Sequence, residues 1–260
     1  MKSIFFLFLL AAGCVVAVGL TKEYVFINSA LQWNEAQTYC RQKYKDLATI
    51  TTMKENNQLF PAPFFYSWIG LYNTLGTWEW SDGEQTSFFN WYDYPQSDCA
   101  TILPYPYYGK WYSFSCTNSF TFYCYQFLIL VKEKKTWEEA QEFCETQYTG
   151  LASVSSSWSL EQLIQETVGT ETESVWTGLH FMDGQWLWVN EEQTWSQTQS
   201  QMWSVIWSPM WSQTQSQTQI LVSMPSCPAQ SYRCGALNTT SNTMKNHNCN
   251  ERLNFICYWT

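Results

Sequence analysis

Sulfur, not imidazole, is the reactive group this chain has in quantity: it carries ten cysteines and two histidines, His180 and His247. No Cys-x-x-Cys occurs and the histidines stand alone, so the ligand spacing of a structural zinc centre is missing. Eight cysteines instead fall into two sets of four: Cys40, Cys99, Cys116 and Cys124, then Cys144, Cys234, Cys249 and Cys257. Each set has an early member, an inner pair and a terminal member. Such sets read as disulfide frameworks, with many pairings left open by spacing alone. Cys14 and Cys227 lie outside both sets.

Catalysis finds little to work with. There is no Gly-rich phosphate loop, no His-Glu-x-x-His and no Gly-x-Ser-x-Gly, and nothing in the spacing of the 22 acids singles out a pair for glycosidic chemistry. The chain therefore reads as non-catalytic, with no cofactor implied. Charged residues make up only 13% and aromatics 18%, and the formal charge is −9. That balance argues against nucleic acid, which needs clustered Lys and Arg, and against an anionic membrane surface. The aromatics cluster: Trp91, Tyr92, Tyr94, Tyr105, Tyr107, Tyr108 and Trp111 lie within one short stretch. A tyrosine ring offers a flat apolar face with a polar tip, suited to stacking on a sugar or anchoring a protein contact.

The elements that must position these residues come in two copies. Met1-Lys2-Ser3 and the apolar run Ile4 to Val18 resemble a secretory signal over residues 1–19, shorter than the roughly 20 residues a membrane span requires. Secretion into an oxidising extracellular compartment is the expectation, with an uncleaved anchor as the alternative; no later run is apolar enough to span a membrane. Tyr24-Val25-Phe26-Ile27 reads as a strand. Trp33, Ala36 and Cys40 share one helix face and recur as Trp137, Ala140 and Cys144 at a constant offset of 104 residues. Thr136 and Glu139 form a capping box on the second copy. Second helices are predicted from Thr51 or Thr52 and from Ser157, the latter with Leu160, Leu163 and Ile164 as its apolar face. A whole domain is duplicated. The spacing predicts domains over residues 20–124 and 125–260 with no linker between them. Trp195-Ser196-Gln197-Thr198-Gln199-Ser200-Gln201 recurs sixteen residues later, which marks residues 195–226 as a Trp/Ser/Gln-rich loop insertion in the second domain. Asn238-Thr239-Thr240 is a glycosylation sequon.

Trp68-Ile69-Gly70-Leu71, the order of cysteines after it and the terminal Phe122-Tyr123-Cys124 resemble the C-type lectin-like domain. A weaker copy follows in Trp176-Thr177-Gly178-Leu179, Cys234, Cys249 and Phe255-Ile256-Cys257. The resemblance implies an α+β fold of two tandem domains, each with two helices on small antiparallel sheets, a long loop region and two disulfides. It implies the pairs Cys40–Cys124, Cys99–Cys116, Cys144–Cys257 and Cys234–Cys249. Cys227 is then left over: free, shuffled with Cys234, or bridging two copies as a homodimer.

The family's familiar sugar site uses calcium held by a Glu-Pro-Asn or Gln-Pro-Asp loop and by a Trp-Asn-Asp turn, and calcium demands several oxygen ligands. At the corresponding places this chain has Tyr94-Pro95-Gln96 and Trp111-Tyr112-Ser113, and in the second domain Met244-Lys245-Asn246. The resemblance thus implies a binding protein for carbohydrate or glycoprotein without that calcium site, with Tyr94, Gln96, Tyr105, Tyr107 and Tyr108 as candidate ligand contacts. The alternative is a protein-contact or structural module that has lost sugar binding.

Overall fold

A computed structural model of the chain describes residues 20–59, 65–104, 106–107, 109–154, 157–189 and 224–260. The N-terminal apolar run and the Trp-Ser-Gln repeat lie outside the described residues. The first half runs β1 (Thr21–Leu31), α1 (Trp33–Lys43), β2 (Asp46–Leu47), α2 (Met53–Asn57), β3 (Ser67–Thr74), β4 (Thr77–Trp80), β5 (Cys99–Ile102) and β6 (Trp111–Phe114) into β7 (Phe120–Lys135). The second half continues as α3 (Trp137–Gln147), β8 (Gly150–Leu151), α4 (Ser157–Glu166), β9 (Ser174–Met182), β10 (Gln185–Trp188), β11 (Cys234–Asn238), β12 (Thr243–His247) and β13 (Leu253–Trp259).

Helix α1 buries Trp33, Ala36 and Cys40, and α3 buries Trp137, Ala140 and Cys144, while Asn34, Glu35, Glu138 and Glu139 stay exposed. The i, i+3, i+7 spacing puts each trio on one face, so removing those side chains from water docks the helix. Thr136 accepts the Glu139 amide at 3.3 Å while the Glu139 carboxylate accepts the Thr136 amide at 3.1 Å. Helix α2 is a single short turn, capped by the Thr52 hydroxyl accepting the Glu55 amide at 3.1 Å.

The tryptophan-led strands occupy the centre of each half. Trp68, Ile69 and Leu71 are fully buried, as are Trp176 and Leu179. Gly70 is glycine because a Cβ there would stand 2.8 Å from Ser81 Oγ and 3.1 Å from the Leu47 carbonyl. Its backbone N–H donates to Ala48 at 2.9 Å and its carbonyl accepts from Ser81 at 2.8 Å, and Gly178 repeats both bonds with Ala152 and Val189. Most strand pairs are antiparallel, as expected for small antiparallel sheets, but β3 runs parallel to β7 and β9 parallel to β13.

The halves meet without a linker because β7 belongs to both. Its first part pairs with β1 and its second part with β13, and at Phe127 and Leu128 it holds both neighbours at once. A second contact crosses the boundary: α4 packs on β1, with Ser159 Oγ donating to Glu23 Oε1 and Gln126 Nε2 donating to Glu23 Oε2 at 2.8 Å. The predicted apolar face of α4 does pack on the second core through Leu160, Leu163 and Ile164. The helix also buries Ser159, Gln162 and Glu166, a polar face beside the apolar one.

Candidate ligand-binding surface

Four disulfides hold the framework: Cys40–Cys124 ties α1 to β7, Cys144–Cys257 ties α3 to β13, and Cys99–Cys116 and Cys234–Cys249 brace the inner strands. Cys227 is exposed and unbonded. Among the described residues one group offers three metal-type ligand atoms within 4.8 Å of one another: His180, Cys234 and Cys249. The two sulfurs are bonded to each other, so neither is a thiolate that could hold an ion. His180 stacks on Trp137 at 4.6 Å, as Tyr72 packs on Trp33 at 5.2 Å in the first domain. Burial, then the charge of Arg233, pushes its pKa down, which keeps the ring neutral and suits a packing role.

In the first domain the long loop after β4 returns to the sheet through a dense set of hydrogen bonds. Trp111 is fully buried and donates its N–H to the Asn90 carbonyl at 2.9 Å, while its carbonyl accepts from Tyr92 at 2.8 Å. Its indole Nε1 donates to Asn56 Oδ1 at 2.7 Å. The side-chain amides of Asn56 and Asn90 both donate to the Gly109 carbonyl, at 3.1 and 2.6 Å. Lys110 Nζ reaches Asn90 Oδ1 at 3.0 Å.

The two places at which the family holds calcium face each other here across a hydroxyl. Ser113, buried on β6, accepts the backbone N–H groups of Gln96 at 2.9 Å and Ser97 at 3.1 Å. This ties the 94–98 loop to the sheet through protein atoms. Tyr112 and Ser113 supply no carboxylate or side-chain amide, and Lys110 brings an ammonium to the neighbouring turn. The 111–113 turn thus lacks the acid and amide oxygens calcium needs, and the acids of the facing loop are the exposed Asp93 and Asp98. In the second domain Met244 is buried and Lys245 exposed, and the Asn246 side chain donates to the Tyr232 carbonyl at 3.3 Å. This turn supplies no acid; the loop that would face it lies outside the described residues.

Above the clamp stands an aromatic face. Tyr94 is 83% exposed, Tyr92 52% and Tyr107 45%, and the Tyr92 and Tyr107 rings meet edge to face at 4.7 Å. The hydrogen bond it shares with Tyr107 raises the Tyr92 phenol pKa. Gln96 is exposed on the same loop. Of the five candidate contacts, Tyr94, Gln96 and Tyr107 are therefore on the surface, while Tyr105 and Tyr108 lie outside the described residues. Tyr92, one of the rings of the cluster read from the sequence, packs on Tyr107 and belongs to this face. Trp91 is half-buried, packed between Trp78 at 4.7 Å and Trp111 at 5.9 Å, so it supports the face from below.

The sequon asparagine is buried in the folded domain. Asn238 is 3% exposed, with Nδ2 donating to Ser174 Oγ at 3.4 Å and Glu173 Oε1 at 3.3 Å, and Oδ1 accepting from the Ser241 amide and hydroxyl. In the folded domain this side chain bridges β11 and the start of β9.

The chain belongs to the C-type lectin domain family, whose description matches residues 29–126 and again 133–259. Human C-type mannose receptor 2 is 29% identical over 195 residues, covering 58% of this chain and 13% of the receptor. Human secretory phospholipase A2 receptor is 26% identical over 197 residues, with the same shares covered. The chain thus spans about an eighth of the length of these relatives. Among solved structures, the C-type carbohydrate-recognition domain of cow CD23 is 26% identical with a TM-score of 0.38, covering 41% of this chain and 88% of that one. Among the described residues no helix is long and apolar enough to cross a membrane.

Proposed function

We propose that the chain is a secreted, non-catalytic binding protein that recognises carbohydrate or glycoprotein through the aromatic face of its first domain, without calcium. The observation that carries this reading is the Ser113 hydroxyl holding the 96–97 amides, which gives the loop its shape where other members of the family would use an ion. A loop already shaped by protein hydrogen bonds presents Tyr94, Gln96 and Tyr107 without the ordering cost a mobile loop would carry. Tyrosine rings then supply apolar stacking and their hydroxyls supply directional contacts. The relatives include a protein named as a mannose receptor and a structure titled as a carbohydrate-recognition domain, which favours a sugar as the ligand class. The exposed Cys227 leaves a disulfide-linked homodimer open as the secreted form.

A glycan array read once with calcium and once with chelator tests the proposal. The expected result is the same set of bound glycans in both, reduced in Tyr94→Ala. Binding that appears only with calcium would overturn the calcium-free site. Silence in both conditions would move the protein to the protein-contact reading, which the 83% exposure of Tyr94 also suits.

A further inference from the structure

We infer that the first domain carries a second saccharide site, for uncharged sugars, in the cleft between the β3–β4 hairpin and the 81–89 segment. The inference rests on the carbohydrate-binding reading and extends it to a place outside the tyrosine face. The cleft, open to solvent, has a volume of about 740 Å³, and its lining includes Tyr72, Trp78, Glu79, Glu84, Thr86 and Phe89.

Its walls are set before a ligand arrives. Arg41 Nη2 donates to the Ser81 carbonyl at 2.7 Å and the Ser81 hydroxyl donates to Asp46 Oδ1 at 2.9 Å. The Glu84 amide donates to Asp82 Oδ1 at 3.0 Å, and Asp82 Oδ2 accepts the Tyr125 hydroxyl at 2.7 Å. Thr86 Oγ1 donates to the Trp78 carbonyl at 3.0 Å, which joins the segment to the hairpin. A wall fixed in this way loses little freedom on binding.

The chemistry of the lining selects the ligand. Phe89 is 46% exposed and lies nearly parallel to Trp91, with an interplanar angle of 18°, and Trp91 packs on Trp78. An exposed ring backed by others is a platform for the C–H face of a pyranose. The carboxylates of Glu79 and Glu84 are exposed and have no hydrogen-bond or ion-pair partner among the described residues. A carboxylate is acceptor-only, with several lone pairs, and pairs strongly with adjacent hydroxyls. Ring and carboxylates together match the two sides of a sugar, one apolar and one lined with O–H donors. Among the described residues no Lys or Arg lines the cleft, and the chain carries a formal charge of −9, so sialylated or sulfated sugars are repelled and neutral ones admitted.

The test compares wild type, Glu79→Gln/Glu84→Gln, Phe89→Ala and Tyr94→Ala on one array of neutral and acidic glycans, with melting temperatures confirming that each variant is folded. The expected result is a set of neutral glycans whose apparent affinity falls about tenfold or more in the double variant and in Phe89→Ala, and is held in Tyr94→Ala. Neutral glycans lost in Tyr94→Ala but unchanged in both cleft variants would overturn the second site and leave the first standing. No glycan bound by wild type would overturn both. A cleft-dependent preference for acidic glycans, or binding of an oligolysine peptide in place of any sugar, would overturn the ligand class.

Discussion

Gln96 donates its backbone N–H to the hydroxyl of Ser113 at 2.9 Å, and the next amide, of Ser97, donates to the same oxygen at 3.1 Å. One buried side chain therefore fixes the course of the loop that carries Tyr94. In Ser113→Ala both amides lose their acceptor, and leaving such a group unpaired costs about 1–3 kcal/mol. The expected outcome is a melting temperature lower by several degrees, with faster amide exchange at Gln96 and Ser97 and no change in β11. Ser113→Thr, which keeps the hydroxyl, should restore protection. Unchanged exchange in Ser113→Ala would mean that the loop is held by other contacts.

The boundary between the domains titrates. Glu23 is fully buried with neutral partners only, Gln126 on β7 and Ser159 on α4; desolvation raises its pKa from 4.5 and those two hydrogen bonds lower it less. The cation beside it in sequence, Lys22, is turned to Glu55 at 3.2 Å. Glu166 on α4, bonded to the Leu130 amide and to Thr21, is raised for the same first reason. For a carboxyl whose folded pKa lies above its unfolded value, the stability it contributes is fully present below the unfolded value and is lost as pH rises through the folded one. The α4–β1 contact is therefore tighter near pH 4 than at pH 7. Glu23→Gln should raise the stability at pH 7 by on the order of 1 kcal/mol and lose that advantage toward pH 4. Thermal melts of both proteins across that range check it, and parallel curves would show that Glu23 does not titrate differently on folding.

How far the sequence announces this architecture differs from one residue to the next. Trp33, Ala36 and Cys40 speak plainly, because a helix buries every third or fourth residue and the same trio returns 104 residues later. The shared strand is harder to read: Phe122 to Val131 is a continuous run of mostly apolar residues with neighbours on both sides, and such a run gives no alternation to mark where one domain stops. Ser159, Gln162 and Glu166 point away from the apolar face of α4 and look like a solvated side, since burial against a second domain leaves no periodic trace. Gln162 shows the cost, with both amide atoms buried and unpartnered. Ser113 was visible only as a missing acid; serine has no signature for a backbone clamp.

The disulfide between α3 and β13 closes a loop of 113 residues, longer than the 84 residues closed by Cys40–Cys124. Both join a helix to the last strand of its domain, and removing such a bond from a small secreted domain costs about 2–5 kcal/mol. Cys144→Ser and Cys257→Ser should each abolish or sharply reduce secretion, as should Cys40→Ser and Cys124→Ser. Pulse-chase of secreted and retained chains measures this. Normal secretion of either second-domain variant would show that the fold of that half does not depend on the bond.

The last expectation concerns the sequon. A glycan is joined to the side-chain nitrogen of asparagine, and Asn238 Nδ2 is turned inward onto Ser174 Oγ at 3.4 Å. Its Oδ1 meanwhile accepts the Ser241 amide at 2.9 Å and hydroxyl at 2.8 Å, closing the turn between β11 and β12. A sugar on that nitrogen would break the Ser174 bond and force a buried side chain into solvent, so the folded chain should be unmodified there. Digestion with a peptide N-glycosidase should leave its mobility unchanged. Thr240→Ala removes the sequon while keeping Asn238, and should be secreted and migrate like wild type. Asn238→Ala leaves the Ser241 amide without its acceptor and should melt lower by an amount on the order of 1 kcal/mol. A mobility shift on digestion of wild type that is missing in Thr240→Ala would overturn the inward placement and return Asn238 to the surface.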